Sequence, residues 1–217
     1  MICISGIGWI FDGKYGCART GHKRNAESDL PPSGEVFPYP FKNFGRLDPQ
    51  SRVTCCAVGL ALRDARIELS PNQKKAIGIV GTCSSGSLAS DIKYFRDYID
   101  SGRTLGRGHL FIYTLPSSPL AEAAVYFGCL GPLLYIDDRQ DPFGTTVRTA
   151  SEMIRASEAG TMVAGVTEEE GAAYFVLQKA KQPDPGCHIL PADQAMIGIS
   201  TIGDVVARVI DINKHGA

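Results

Sequence analysis

The chain has 217 residues, 44% hydrophobic and 21% charged, which suits one globular domain with its own core and excludes a disordered or collagen-like chain. Its 22 basic and 23 acidic residues leave a formal charge of -1, so nothing in the balance draws it to nucleic acid or an anionic membrane. No apolar run nears the roughly 20 residues that span a bilayer, and the start, MICISGIGWIFDG, lacks a basic leader, so a cytoplasmic location is expected.

ICISGIGWI reads as an N-terminal strand broken by Gly6 and Gly8. Residues 12 to 50 carry Gly, Pro and Asn clusters (DGKYG, DLPPSGEVFPYP, FKNFG) and read as a long surface loop lining a site or an interface. From Arg52 the pattern turns helical, with Val53, Cys56, Ala57, Leu60 and Ala61 on one face. KAIGIVG is a buried-strand run, GTCSSGS a turn, and Leu88, Ile92, Phe95 and Ile99 mark a helix that ends near Gly102. LFIYTLP (110 to 116) reads as a short extended segment. Ser118-Pro119 supplies a cap and a first-turn proline for LAEAAVYF, and Gly128 stops it. PLLYIDD is a strand, TTVRTASEMIRASEA a helix, and TMVAGV and AAYFVLQK two further strands. A turn-rich link, QPDPGCHILPADQ, leads to a last helix, IGDVVARVIDI. Alternating strands and helices indicate an α/β sheet covered by helices in one domain, with a core over 1 to 180 and a linker and helix over 181 to 217.

Seven cysteines (Cys3, Cys17, Cys55, Cys56, Cys83, Cys129 and Cys187) form no CxxC pair, which favours buried, reduced thiols over disulfides or zinc; no metal and no cofactor are expected. Cys83 sits at a strand-to-helix turn among small residues, where a nucleophilic thiol could be presented at a helix N-terminus. No base partner for it is identifiable from the sequence. Asp137 and Asp138 offer paired carboxylates for acid/base work or a cation, or else a solvated turn.

The order of elements and several strings resemble the β-ketoacyl synthases, the condensing enzymes of fatty-acid and polyketide assembly. ICISGIGWI is similar to that family's opening strand, and GRLDPQSRVTCCAVGLALRDARI (45 to 67) to its Arg-Met/Leu-Asp helix. KAIGIVGTCSSGSL, TLPSSPLAEAAVYFGCLGP, MIRASEAGTMVAG and EEGAAYFVLQK follow in family order. The resemblance covers the N-terminal half of the family. It implies a three-layer α/β/α half-fold of the thiolase type with a mixed five-stranded sheet. The turn carrying Cys83 then corresponds to a glycine-rich turn that shapes the acyl pocket or dimer surface.

In that family the nucleophilic cysteine lies eight residues after the Gly-Pro; counting on from Gly131-Pro132 reaches Gln140. The catalytic histidines of the family's second half have no counterpart among His22, His109, His188 and His215. In chain-length factors of the family glutamine also replaces the cysteine. Its amide can hydrogen-bond an acyl carbonyl; alternatively Gln140 only fills the space of a lost thiol beside a salt-bridged turn of Asp137, Asp138, Arg139 and Asp141. The resemblance thus implies a non-catalytic, chain-length-factor-like partner or acyl-binding subunit. Gln140, Phe143, Thr82 and Cys83 are its candidate substrate-binding residues. The alternatives are an acyl-thioester enzyme, acting by decarboxylation with Gln140 or acyl transfer through Cys83, and a scaffold with a closed pocket. Expected partners are an acyl carrier protein or acyl-thioester, and a second copy or an active condensing enzyme. Either would cover the face the half-fold leaves open, with helix 52 to 64 and residues 114 to 145 as contact surfaces.

Overall fold

A computed structural model describes residues 1–24, 28–104, 106–179, 190–192 and 196–215. Its sheet runs β3-β2-β1-β7-β6-β4-β5, from β1 (Ile2–Phe11), β2 (Lys14–Cys17), β3 (Gly21–Arg24), β4 (Ile77–Thr82), β5 (Leu133–Tyr135), β6 (Thr161–Glu168) and β7 (Gly171–Lys179). A short β8 (Leu190–Pro191) adds to β1. Strands β4, β5 and β6 are mutually parallel, and β7 runs antiparallel to both its neighbours. The helices are α1 (Ser33–Val36), α2 (Pro49–Asp64), α3 (Leu88–Asp100), α4 (Gly108–Phe111), α5 (Ser118–Phe127), α6 (Pro142–Arg155) and α7 (Ile202–His215).

The five expected strands are present as β1 and β4 to β7, but the sheet is wider. The extra strands β2 and β3 come from the stretch read as loop. Asp12 and Gly13, both at positive φ (52° and 63°), make the two-residue turn that folds β2 back on β1, and Asp-Gly is a standard pair for that conformation. The rest of that stretch is packed as well. Phe37, Phe41 and Phe44 form an aromatic cluster with Tyr126, the Phe41 and Tyr126 rings stacking at 4.2 Å. This cluster roofs α2 and α5.

Helix α2 starts where Asp48 accepts a hydrogen bond from the Ser51 amide (2.9 Å), with Pro49 in the first turn. Every residue from Thr54 to Leu62 is buried, because the helix lies between the sheet and the aromatic roof. It is therefore core and not the contact surface expected of it. Gly6 and Gly8 do not break β1: a side chain at either would strike the α2 backbone at Ala61 or Ala57. Their bareness lets the helix settle onto the strand.

On the opposite face, α6 sets Phe143, Val147, Ala150 and Ile154 against the sheet and turns Arg148, Glu152 and Arg155 outward. Ile202, Val205 and Val209 of α7 join the same core. A capping pair starts α7: Asp204 accepts from the Ser200 and Thr201 amides (3.0 and 2.8 Å), and its own amide donates to Thr201 Oγ1. This face of the sheet is thus covered by α6 and α7 together. Residues 110 to 116, read as extended, form α4 and a 3₁₀ turn (Ile112–Thr114), since a short apolar run carries no period to separate the two conformations. Cys187 and His188 of the linker lie outside the described residues. Among the described residues no helix is long and apolar enough to cross a membrane.

Candidate functional site

The parallel strands β4, β5 and β6 end side by side, with Gly81 paired to Tyr135 and Thr82 to Val166. In an open α/β sheet the carboxyl ends of such strands are where ligands are bound. All four candidate residues lie there: Thr82 closes β4, Cys83 opens the following turn, and Gln140 and Phe143 lie between β5 and the first turn of α6.

Cys83 is buried, and its thiol lies 3.3 Å from Ser85 Oγ. Burial pushes the thiol above its ordinary range, the Ser85 hydrogen bond pulls it partly back, and the Glu168 charge adds to the rise. Among the described residues no imidazole hydrogen-bonds to it. Backbone amides of Ser85 and Gly86 also pull the thiol down, without offsetting the burial. The arrangement holds a protonated, shielded thiol.

Two residues not singled out from the sequence fix this turn. The Tyr135 hydroxyl donates to the Cys83 carbonyl (2.8 Å), and the Glu168 carboxylate accepts from the amide (3.1 Å) and the hydroxyl of Ser84. Nothing local in the sequence links Ser84 to a residue 84 positions away. Beneath the turn, the hydroxyls of Thr54, Thr167 and Tyr174 form a buried chain at 2.8 and 3.0 Å, while the buried Thr82 hydroxyl has no partner among the described residues.

Gln140 is exposed, and its ordered contact is through the backbone: its amide and that of Asp141 donate to Asp138 Oδ1 (2.8 and 3.1 Å). Thr145 donates to the other Asp138 oxygen at 2.7 Å, and these three hydrogen bonds hold the carboxyl below its usual range. Asp141 caps α6 by accepting from the Gly144 amide (3.0 Å) and faces Arg148; Arg139 lies 3.8 Å from Asp137. The acidic turn is thus a helix-starting device. Phe143 is in the core, its ring edge-on to Phe175 at 6.0 Å. The structure brings Thr82 and Cys83 together, and no hydrogen bond joins them to Gln140. No group of three possible metal ligands occurs among the described residues.

No protein-family model and no curated protein matches the sequence. Solved structures do match. A β-ketoacyl synthase from Burkholderia phymatum superposes with a TM-score of 0.61 at 17% identity, over 83% of this chain and 59% of that one. The ishigamide ketosynthase/chain length factor gives 0.62 at 13% identity, over 84% and 63%. A ketosynthase in complex with its chain length factor from Xenorhabdus doucetiae gives 0.56 at 13% identity, over 83% and 80%. The chain spans about three fifths of the first solved chains it matches. At such identities the likeness is one of fold: the chain has the thiolase-like α/β/α fold of ketosynthases and chain length factors.

Proposed function

We propose that the chain is a non-catalytic partner of an active condensing enzyme, of the chain-length-factor type, in fatty-acid or polyketide-type synthesis. One observation carries the reading. The match in the ketosynthase–chain length factor complex covers 83% of this chain and 80% of that one, so a chain of nearly this length occurs within such a complex. The site supports it by what it withholds: Gln140 replaces the nucleophile on our count from Gly131-Pro132, and Cys83 is buried with its thiol pushed up. An acyl carrier protein would then engage the pair. The test is reconstitution: an active synthase with and without this chain, supplied with malonyl and acyl thioesters on a carrier protein. Turnover or product length should depend on the chain, and the chain alone should turn over nothing.

A scaffold with a closed pocket is the second reading. The exposure of Gln140 and the burial of Phe143 against Phe175 favour it. It predicts that the chain stabilises a synthase without changing product length.

A further inference from the structure

Helix α2 meets the candidate site at one end only. Thr54, near its start, joins the buried hydroxyls below the Cys83 turn, whereas Arg63 stands in its last turn, roughly 14 Å further along the axis. There the β2–β3 hairpin and α1 come up to the helix end and leave two adjoining hollows. The smaller, of about 180 Å³, is lined by the charged residues Arg19, Lys23, Arg63, Arg66, Glu35 and Asp64. The larger, of about 410 Å³, shares Glu35, Arg63 and Arg66 and adds an apolar wall of Val36, Phe37, Pro38, Ile67 and Leu69.

Four cations thus face two carboxylates in the smaller hollow, and both carboxylates are already engaged. Asp64 accepts from the amides of Ile7 and Arg19 (2.8 and 3.0 Å), and Glu35 accepts from Lys23 Nζ (2.8 Å). Arg63 donates to the Glu35 carbonyl, one of the five N–H groups of its fork. The Arg66 side chain has no hydrogen bond or ion pair among the described residues. Its backbone makes the position more telling. The Arg66 amide donates to the Arg63 carbonyl and the Ile67 amide to the Leu62 carbonyl, a Schellman end to α2, with Arg66 at φ 56° where glycine is the usual residue. A guanidinium is therefore carried, against the backbone's preference, to the boundary between a cationic hollow and an apolar one.

We propose that this cleft binds a small phosphate monoester, with the phosphate between Arg63 and Arg66 and the organic part against Val36, Phe37 and Ile67. Guanidinium forks engage phosphate oxygens in pairs, and a monoester offers three oxygens, enough for two forks, where a carboxylate offers two. Glu68, also on the wall of the larger hollow, repels a second anionic group there, so the organic part is uncharged. This site is separate from the strand ends that hold Cys83, and it does not depend on the partner role proposed above.

The test is isothermal titration calorimetry of the full chain at low salt and about pH 8, where a monoester is a dianion, with phenyl phosphate, inorganic phosphate and benzoate as probes. One phenyl phosphate should bind per chain, about tenfold tighter than inorganic phosphate, and benzoate more weakly than phenyl phosphate. Arg63→Gln and Arg66→Gln should each weaken phenyl phosphate about tenfold or more. Arg66→Gly separates binding from folding: it removes the guanidinium and suits the left-handed backbone, so the melting temperature should rise while phenyl phosphate binding falls as in Arg66→Gln. No saturable binding of phenyl phosphate, binding indifferent to Arg66→Gly, or inorganic phosphate bound as tightly as phenyl phosphate would overturn the inference. The partner role would survive each of these results.

Discussion

The hydroxyl of Tyr135 donates to the carbonyl of Cys83 at 2.8 Å, joining the end of β5 to the turn that follows β4. Tyr135 stands opposite Gly81 in the parallel register, so its ring reaches the turn without disturbing the ladder. With Glu168 holding Ser84 from the β6 side, the turn is fastened from both neighbouring strands. Such fastening suits a surface that is to be shaped and kept still.

Tyr135→Phe removes one hydrogen bond to a buried carbonyl and is expected to cost about 1 kcal/mol in stability. It should also raise the alkylation rate of Cys83 in the folded protein, read by mass spectrometry of tryptic peptides. An unchanged rate would mean that the thiol is shielded by something other than the fastened turn.

Burial pushes the thiols of Cys56 and Cys129 and the phenols of Tyr113 and Tyr126 up to about 12. In the unfolded chain these groups would ionise near their ordinary values of 9.0 and 10.0, so the unfolded state loses protons first as pH rises. Their contribution is whole below pH 9.0 and is lost progressively toward about 12. The melting temperature should therefore hold from neutral pH to about 9 and fall steadily above it. A flat profile to strongly alkaline pH would contradict the burial of these groups.

Gly8→Ala should destabilise severely, because the added carbon meets the α2 backbone at Ala57 and Ala61 and neither element can yield without loss of core contacts. Gly34→Ala, where the space is open, is the control and should leave the denaturant midpoint nearly unchanged. Equal midpoints for the two variants would refute the close seating of α2 on β1.

Asp48→Ala and Asp204→Ala each remove the carboxylate that starts a helix and should cost about 1 kcal/mol apiece in chemical denaturation. Since α7 shares the second face of the sheet with α6, the Asp204 variant should in addition bind a hydrophobic dye more strongly. No added dye binding would mean that α7 docks independently of its cap.

The repeating elements were legible because local pattern determines them. The apolar run of β4, the helical spacing of α6 and the Ser-Pro start and Gly128 stop of α5 each carry their own period or punctuation. The β2–β3 hairpin was obscured by glycine-rich composition, although Asp12-Gly13 is itself a hairpin signal. The apolar row of α3 has the spacing of a core face yet points outward, because periodicity reports that a face is apolar and not what covers it. Of the site, the strand ends holding Thr82, Cys83 and Gln140 could be placed. Tyr135 and Glu168 could not be given their roles, since their partners lie 52 and 84 positions away in sequence.

The central claim is that this fold serves a partner and performs no condensation itself. The most direct measurement is malonyl- and acyl-thioester turnover by the purified chain, by an active condensing enzyme, and by the two combined. The account predicts no turnover by the chain alone, a stable complex of the two, and complex activity that survives Cys83→Ala. Turnover by the chain alone, abolished by Cys83→Ala or Gln140→Ala, would contradict it.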